Sequence, residues 1–137
     1  IIFGRSDTTL TPGGVRIGTA EIYQQVEAFE EIAEAVATAF RAEGDEQIVL
    51  FVRMQPGREL TQELIDAIRK RLRERCSPRH APAHVVAAPD FPRTRSGKVS
   101  EIAIRESLQQ RRPANVDALA NPESLDFFRN WKPSPPA

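Results

Sequence analysis

Cysteine is nearly absent from this 137-residue sequence, in which Cys76 is the only one. A single cysteine cannot form a disulfide within the chain, so a disulfide-stapled secreted scaffold is excluded and a reducing, cytoplasmic setting is expected. Long apolar runs are also missing, and no stretch approaches the length of a membrane span. The start has neither an initiator methionine nor the pattern of a signal peptide, so we expect a piece of a longer protein.

An excess of positive charge is missing as well, because nineteen Lys and Arg residues balance nineteen Asp and Glu residues. That balance argues against a protein whose main task is to grip a phosphate backbone. The charges are nevertheless segregated, with an acidic region between Glu21 and Glu46 and a basic one between Arg69 and Arg79. Lysine is scarce, and the three present are Lys70, Lys98 and Lys132.

The apolar periodicity predicts an α+β domain, with a short N-terminal hairpin followed by a sheet of about three strands packed with helices. The last helix is expected to stop at Arg111-Arg112-Pro113, and the apolar residues of the tail to dock a short helix before disordered final residues. The expected elements are a hairpin turning near residues 12–14, a helix capped by Thr19, strands at 34–40, 48–52 and 84–88, a helix over 60–72 capped near Thr61, and a helix capped by Ser100.

Two segments combine glycine with basic residues. Gly4-Arg5-Ser6-Asp7, followed by residues 12–18, allows the backbone to approach a ligand while arginines meet phosphate or carboxylate. The alternative is a hairpin with solvated arginines. The second segment, residues 92–98, fails as a phosphate-binding P-loop because Pro92 stands where glycine is required. The segment still places Lys98 on a loop just before a helix. There its ammonium could stabilise negative charge that develops during a reaction, or it could be an ordinary surface lysine.

Three further groups are interpreted as structural. The arginines and lysine of residues 69–75 predict a solvated helix face. His80 and His84 lack a thiol or acidic partner at a metal-binding spacing, so no metal site is predicted. Cys76 has cationic neighbours, but the sequence shows no histidine and carboxylate pair that would activate its thiol. We therefore do not predict Cys76 to be a catalytic nucleophile.

Taken together, the two glycine-containing segments resemble the C-terminal domain of acyl-CoA synthetases, which belong to the adenylate-forming superfamily. The resemblance rests on residues 4–7, on residues 14–22 and on Pro92-Arg93-Thr94-Arg95-Ser96-Gly97-Lys98, in that order. Within the superfamily the chain is most similar to the acetoacetyl-CoA synthetases. That closer similarity uses residues 14–23, Ser77-Pro78-Arg79-His80-Ala81-Pro82, Ser100-Glu101 and Asn121-Pro122-Glu123.

The resemblance implies an AMP-forming ligase that uses ATP, with its Mg²⁺, and coenzyme A to convert acetoacetate into acetoacetyl-CoA. By position, Lys98 matches the adenylation lysine and Asp7 the hinge about which this domain rotates. Arg5 and Arg16 match residues near the adenylate and the ATP phosphates. Gly13, Gly14 and Val15 match the pantetheine tunnel, although Val15 replaces a histidine frequent in acetyl-CoA synthetases. Arg73 matches a coenzyme A phosphate contact, with Arg71 and Arg75 as alternatives.

The same resemblance implies an organisation and a set of partners. Residues 1–7 would be the hinge and the end of a linker, residues 8–112 the C-terminal lid domain, and residues 113–137 a tail. The carboxylate pocket and the Mg²⁺-dependent part of the ATP site would belong to a separate N-terminal adenylation domain, so the chain alone is expected to be inactive. Lys98 would also be a substrate of a protein lysine acetyltransferase and a deacetylase, because acetylation removes its charge. The competing interpretation is a non-enzymatic protein-interaction module.

Overall fold

The computed structural model describes residues 9–10, 16–42, 45–108 and 118–131. They form two compact units, one ending at Ala88 and the other beginning at Pro89. The first unit holds the sheets and two helices, and the second holds the segment of Lys98 and two further helices. The expected α+β class is confirmed.

The first unit is built on a three-stranded mixed sheet. Strand β3 spans Ile32–Ala42, β4 spans Asp45–Met54 and β5 spans His84–Ala87. Strand β4 pairs antiparallel with β3 and parallel with β5. All five residues from Ile48 to Val52 are at most 2% exposed. The apolar run therefore forms a central strand covered on both faces, as the sequence predicts.

Two helices pack in the same unit. Helix α1 spans Thr19–Val26 and helix α2 spans Gln62–Arg75. Helix α1 contributes Ile22 and Val26 to the core, and the Tyr23 hydroxyl accepts a hydrogen bond from the Ala37 amide at 3.0 Å. This bond attaches α1 to the neighbouring strand β3.

The N-terminus of α2 is capped as predicted. The Thr61 side chain accepts a hydrogen bond from the Leu64 amide at 3.2 Å. Leu64, Ile68 and Leu72 then form the buried stripe of the helix. The helix ends at Arg75, with Cys76 as its C-cap, before the 3₁₀ turn Pro78–His80.

The predicted cap of α1 is wrong. Thr19 is the first residue of the helix and is fully buried, whereas Gly18 occupies the N-cap position in an extended conformation without a side-chain cap bond. The reason is that strand β2, Ile17–Gly18, runs directly into the helix. It pairs antiparallel with β1, Thr9–Leu10, as expected for the hairpin, and the predicted turn at residues 12–14 lies outside the described residues.

The second unit packs two helices over buried phenylalanines. Helix α3 spans Glu101–Leu108 and helix α4 spans Leu125–Asn130. Phe91 and Phe128 are fully buried and stack with ring centroids 6.0 Å apart. The tail therefore docks a short helix as predicted, while the expected stop at residues 111–113 and the disordered final residues lie outside the described residues.

Candidate functional site

Lys98 lies on a tight turn whose backbone is held by hydrogen bonds. Arg93 and Val99 form an antiparallel bridge, and inside it the Thr94 amide donates to the Lys98 carbonyl at 2.8 Å. The Gly97 amide donates back to the Thr94 carbonyl at 2.9 Å. Gly97 has a φ of +90°, which side-chain-bearing residues rarely adopt. The Lys98 side chain is exposed, so the turn fixes its backbone while leaving the ammonium free to meet a ligand.

The turn continues directly into helix α3 through Ser100. The Ser100 amide donates to the Pro92 carbonyl at 2.8 Å, and its hydroxyl accepts from the Ala103 amide at 3.3 Å. The predicted cap of this helix is thereby confirmed. These two bonds tie the turn to the first residues of the helix, and Ser100 itself is buried.

Asn121 secures the segment that precedes the turn. Its Oδ1 accepts from the Arg93 amide at 2.7 Å, and its Nδ2 donates to the Phe91 carbonyl at 2.8 Å. A longer contact of 3.3 Å joins Nδ2 to Asp90 Oδ2. The amide of the preceding residue, Ala120, donates to the Arg93 carbonyl at 2.8 Å. One amide side chain thus satisfies backbone groups on both sides of Pro92.

Two other predicted site residues, Arg16 and Arg73, lie in the described part of the first unit. Arg16 is exposed immediately before the buried Ile17 of β2, and Arg73 is exposed in the last turn of α2. Within the described part of the chain, the Nε atoms of the half-buried Arg69 and Arg71 have no hydrogen-bond partner. Asp7, Arg5, Gly13, Gly14 and Val15 lie outside the described residues.

A second polar cluster, not predicted from the sequence, lies where α1 meets the end of α2. His80 Nε2 is 2.5 Å from Glu21 Oε2, and His80 Nδ1 is 2.6 Å from the Ser77 hydroxyl. One ligand atom each from Glu21, Cys76 and His80 lies within 4.8 Å of the other two. The spacing from Cys76 to His80 was the available signal, but the acidic member is 59 residues from His80 in sequence.

Two titratable groups of the first unit have shifted pKa values. Burial raises the pKa of the Cys76 thiol, and the nearby Glu21 carboxylate raises it further. Burial lowers the pKa of His84, and the positive charge of Arg69 lowers it further. The Cys76 thiol is thus held in its protonated form, the opposite of what nucleophilic activation requires.

Comparison with known proteins assigns the domain. Residues 21–98 match the family model of the AMP-binding enzyme C-terminal domain. The chain belongs to this family. The match covers more than half of the chain and ends at Lys98.

Several similar proteins share one name, acetoacetyl-CoA synthetase. The chain is 54% identical over 128 residues to the acetoacetyl-coenzyme A synthetase of Rhizobium meliloti (strain 1021), a match that covers 93% of this chain and 20% of that protein. It is 46% identical to the acetoacetyl-CoA synthetase of Caenorhabditis elegans, covering 96% and 19%. The solved acetoacetyl-CoA synthetase of Streptomyces lividans matches with a TM-score of 0.77 at 35% identity, covering 92% and 19%. The chain therefore spans about a fifth of the length of these relatives.

One further finding concerns membranes. No helix among the described residues has the length and apolarity needed to cross a bilayer.

Proposed function

We propose that this chain is the C-terminal domain of an AMP-forming acetoacetyl-CoA synthetase. The observation that carries the proposal is the 54% identity with the Rhizobium meliloti enzyme over 93% of the chain. The whole enzyme would first join acetoacetate to the α-phosphate of ATP, releasing pyrophosphate. Coenzyme A would then displace AMP to give the thioester.

Lys98 supplies the cation for the first step. Attack of a carboxylate oxygen on the α-phosphate gathers negative charge, which a nearby ammonium stabilises more in the transition state than in the ground state. The exposed side chain on a hydrogen-bonded turn supports this role, since the turn holds the Lys98 backbone while its side chain faces solvent. Loss of such a contact costs roughly two to three orders of magnitude in rate.

Arg5 and Arg16 bind the nucleotide, and Asp7 allows this domain to rotate between the two steps. Arg5 accompanies the adenylate, Arg16 contacts the ATP phosphates, and Asp7 is the hinge. The exposure of Arg16 next to the buried Ile17 supports its role, because the neighbouring strand residue is packed in the core while the guanidinium is open to phosphate.

The second step uses residues on the coenzyme A side. Gly13 and Gly14 line the pantetheine tunnel beside Val15, where the absence of side chains on the glycines leaves room for a thin ligand. Arg73 contacts a coenzyme A phosphate. Its exposure supports Arg73 over the half-buried Arg71, while Arg75, which is equally exposed, stays the alternative contact at this end of α2.

Lys98 is also a proposed site of inhibitory acetylation. Acetylation would remove the charge that the adenylation step uses, and the exposed side chain offers a protein acetyltransferase access, with a deacetylase reversing it. Mass spectrometry after incubation with the cognate acetyltransferase tests the proposal. Modification of Lys98 supports it, and modification of Lys70 or Lys132 alone contradicts it.

The chain works only with its N-terminal adenylation domain, which would hold the carboxylate and Mg²⁺-ATP. We place the enzyme in the cytoplasm because its C-terminal domain carries a single unpaired cysteine. The test compares two forms of the enzyme, one intact and one from which this chain has been removed. Both are assayed for AMP and thioester formation with acetoacetate, acetate and butyrate. Preferred use of acetoacetate, and thioester formation only by the intact enzyme, support the proposal. A preference for another acid, or thioester formation without this chain, contradicts it.

A further inference from the structure

The polar cluster between α1 and the end of α2 has the composition of a metal site. Glu21 lies in the first turn of α1, Cys76 caps the C-terminus of α2, and His80 ends the following 3₁₀ turn. The buried Ile22 and Leu72 beside them fix both helices in the core. The three ligand atoms therefore belong to elements whose backbone positions are set by packing.

We propose that Glu21, Cys76 and His80 bind a zinc ion through one carboxylate oxygen, the thiolate and Nε2. Thiolate, imidazole and carboxylate are the ligands that Zn²⁺ takes in proteins, and the thiolate disfavours Mg²⁺ or Ca²⁺. Three protein ligands leave the fourth tetrahedral position for water or an external ligand.

The distances require only a small adjustment around the ion. Bonds of about 2.0–2.3 Å to zinc place tetrahedral ligand atoms about 3.3–3.8 Å apart. In the structure His80 Nε2 and Glu21 Oε2 are 2.5 Å apart, and all three ligand atoms lie within 4.8 Å of one another. The Glu21 side chain is 61% exposed and can move to admit the ion, whereas that of His80 is 12% exposed and stays in place.

Ser77 fixes the orientation of the imidazole. Its hydroxyl lies 2.6 Å from His80 Nδ1, which directs Nε2 toward Glu21. A metal-binding histidine commonly uses its second nitrogen in such a bond, which fixes the tautomer and the ring orientation. When Nε2 bonds the ion, Nδ1 keeps the ring proton and donates a hydrogen bond to the Ser77 oxygen. The Cys76 thiol loses its proton to solvent as the sulfur–metal bond forms.

The test titrates the reduced, metal-free 137-residue chain with Co²⁺ and then displaces it with Zn²⁺. We expect one ion per chain, a thiolate-to-cobalt charge-transfer band, and the visible bands of four-coordinate cobalt. Cys76→Ser should abolish the charge-transfer band, and His80→Ala and Glu21→Gln should weaken binding more than about a hundredfold. Ser77→Ala should weaken it by about ten- to a hundredfold, the usual effect of removing an outer partner.

Two matched controls separate this site from binding elsewhere. His84→Gln removes the other histidine and Glu27→Gln removes an exposed acid at the end of α1, and both should bind Co²⁺ like the parent chain. Circular dichroism without metal identifies variants that fail to fold, and Ser77→Ala, which removes no ligand, provides the conservative comparison. The proposal is overturned if the charge-transfer band is absent, or if Cys76→Ser and His80→Ala bind as tightly as the controls.

Discussion

Asn121 offers a direct test of how the Lys98 turn is held. Asn121→Ala removes the acceptor of the Arg93 amide at 2.7 Å and the donor to the Phe91 carbonyl at 2.8 Å. Both backbone groups are in partly buried surroundings, so solvent compensates them only in part. The substitution should therefore loosen the segment before the turn while leaving Lys98 itself in the chain.

The magnitude follows from the two bonds. Each contributes about 1 kcal/mol to stability, and leaving its backbone partner unsatisfied adds to the loss, so the second unit should lose about 2–3 kcal/mol. If about 1.4 kcal/mol of the lost stability appears as a higher activation free energy for adenylation, because the Lys98 turn is less well ordered, that step should slow about tenfold. The thioester step, which does not use Lys98 in this account, should change little.

The assay uses the enzyme that carries this chain and measures the two half-reactions separately, together with urea unfolding. Asn130→Ala is the matched control, because Asn130 is an exposed asparagine at the end of α4. It should leave stability and both half-reactions near the parent values. Equal stability of Asn121→Ala and the control, or equal slowing of both half-reactions by Asn121→Ala, would refute the reasoning.

Three further predictions concern stability, each measured by urea unfolding of the chain. Thr61→Ala should cost about 1 kcal/mol by leaving the Leu64 amide uncapped, and Thr61→Ser should restore most of it; no loss in Thr61→Ala would contradict the cap. Gly97→Ala should cost about 1–2 kcal/mol from backbone strain alone, since a Cβ there meets nothing within 4 Å; an unchanged midpoint would contradict this. Because burial lowers the pKa of His84, its neutral form is favoured in the folded state, and its contribution to stability should be complete above about pH 6.5 and fall as the pH drops through the folded pKa. His84→Gln should reduce that dependence between pH 7.5 and 5.5, and an identical slope would contradict it.

Features encoded by neighbouring residues could be predicted from the sequence. The run from Ile48 to Val52 is apolar throughout and becomes the central strand, and Thr61 stands just before the apolar stripe that it caps. Ser100 precedes α3 in the same way. The prediction of Thr19 as the cap of α1 was wrong because Gly18 is still paired with the neighbouring strand. The helix therefore begins at Thr19, and Gly18 occupies the cap position.

Features that join distant residues could not be predicted in this way. Asn121 reaches Arg93 across 28 residues, and Glu21 reaches His80 across 59. The spacing of apolar residues along the sequence does not indicate such pairs, because they form only when separate elements pack together. The role of Lys98 was predicted from a resemblance between sequence motifs, and the structure adds the hydrogen-bonded turn that holds its backbone.

The adenylation role of Lys98 is the central claim, and one measurement tests it most directly. Lys98→Ala in the enzyme that carries this chain is assayed for adenylate formation from ATP and acetoacetate, and for thioester formation from preformed acyl-adenylate. Lys70→Ala, which removes an exposed lysine of α2, is the control. We predict that Lys98→Ala loses roughly two to three orders of magnitude in the first reaction and retains the second, while the control retains both. Survival of both reactions in Lys98→Ala would contradict the account.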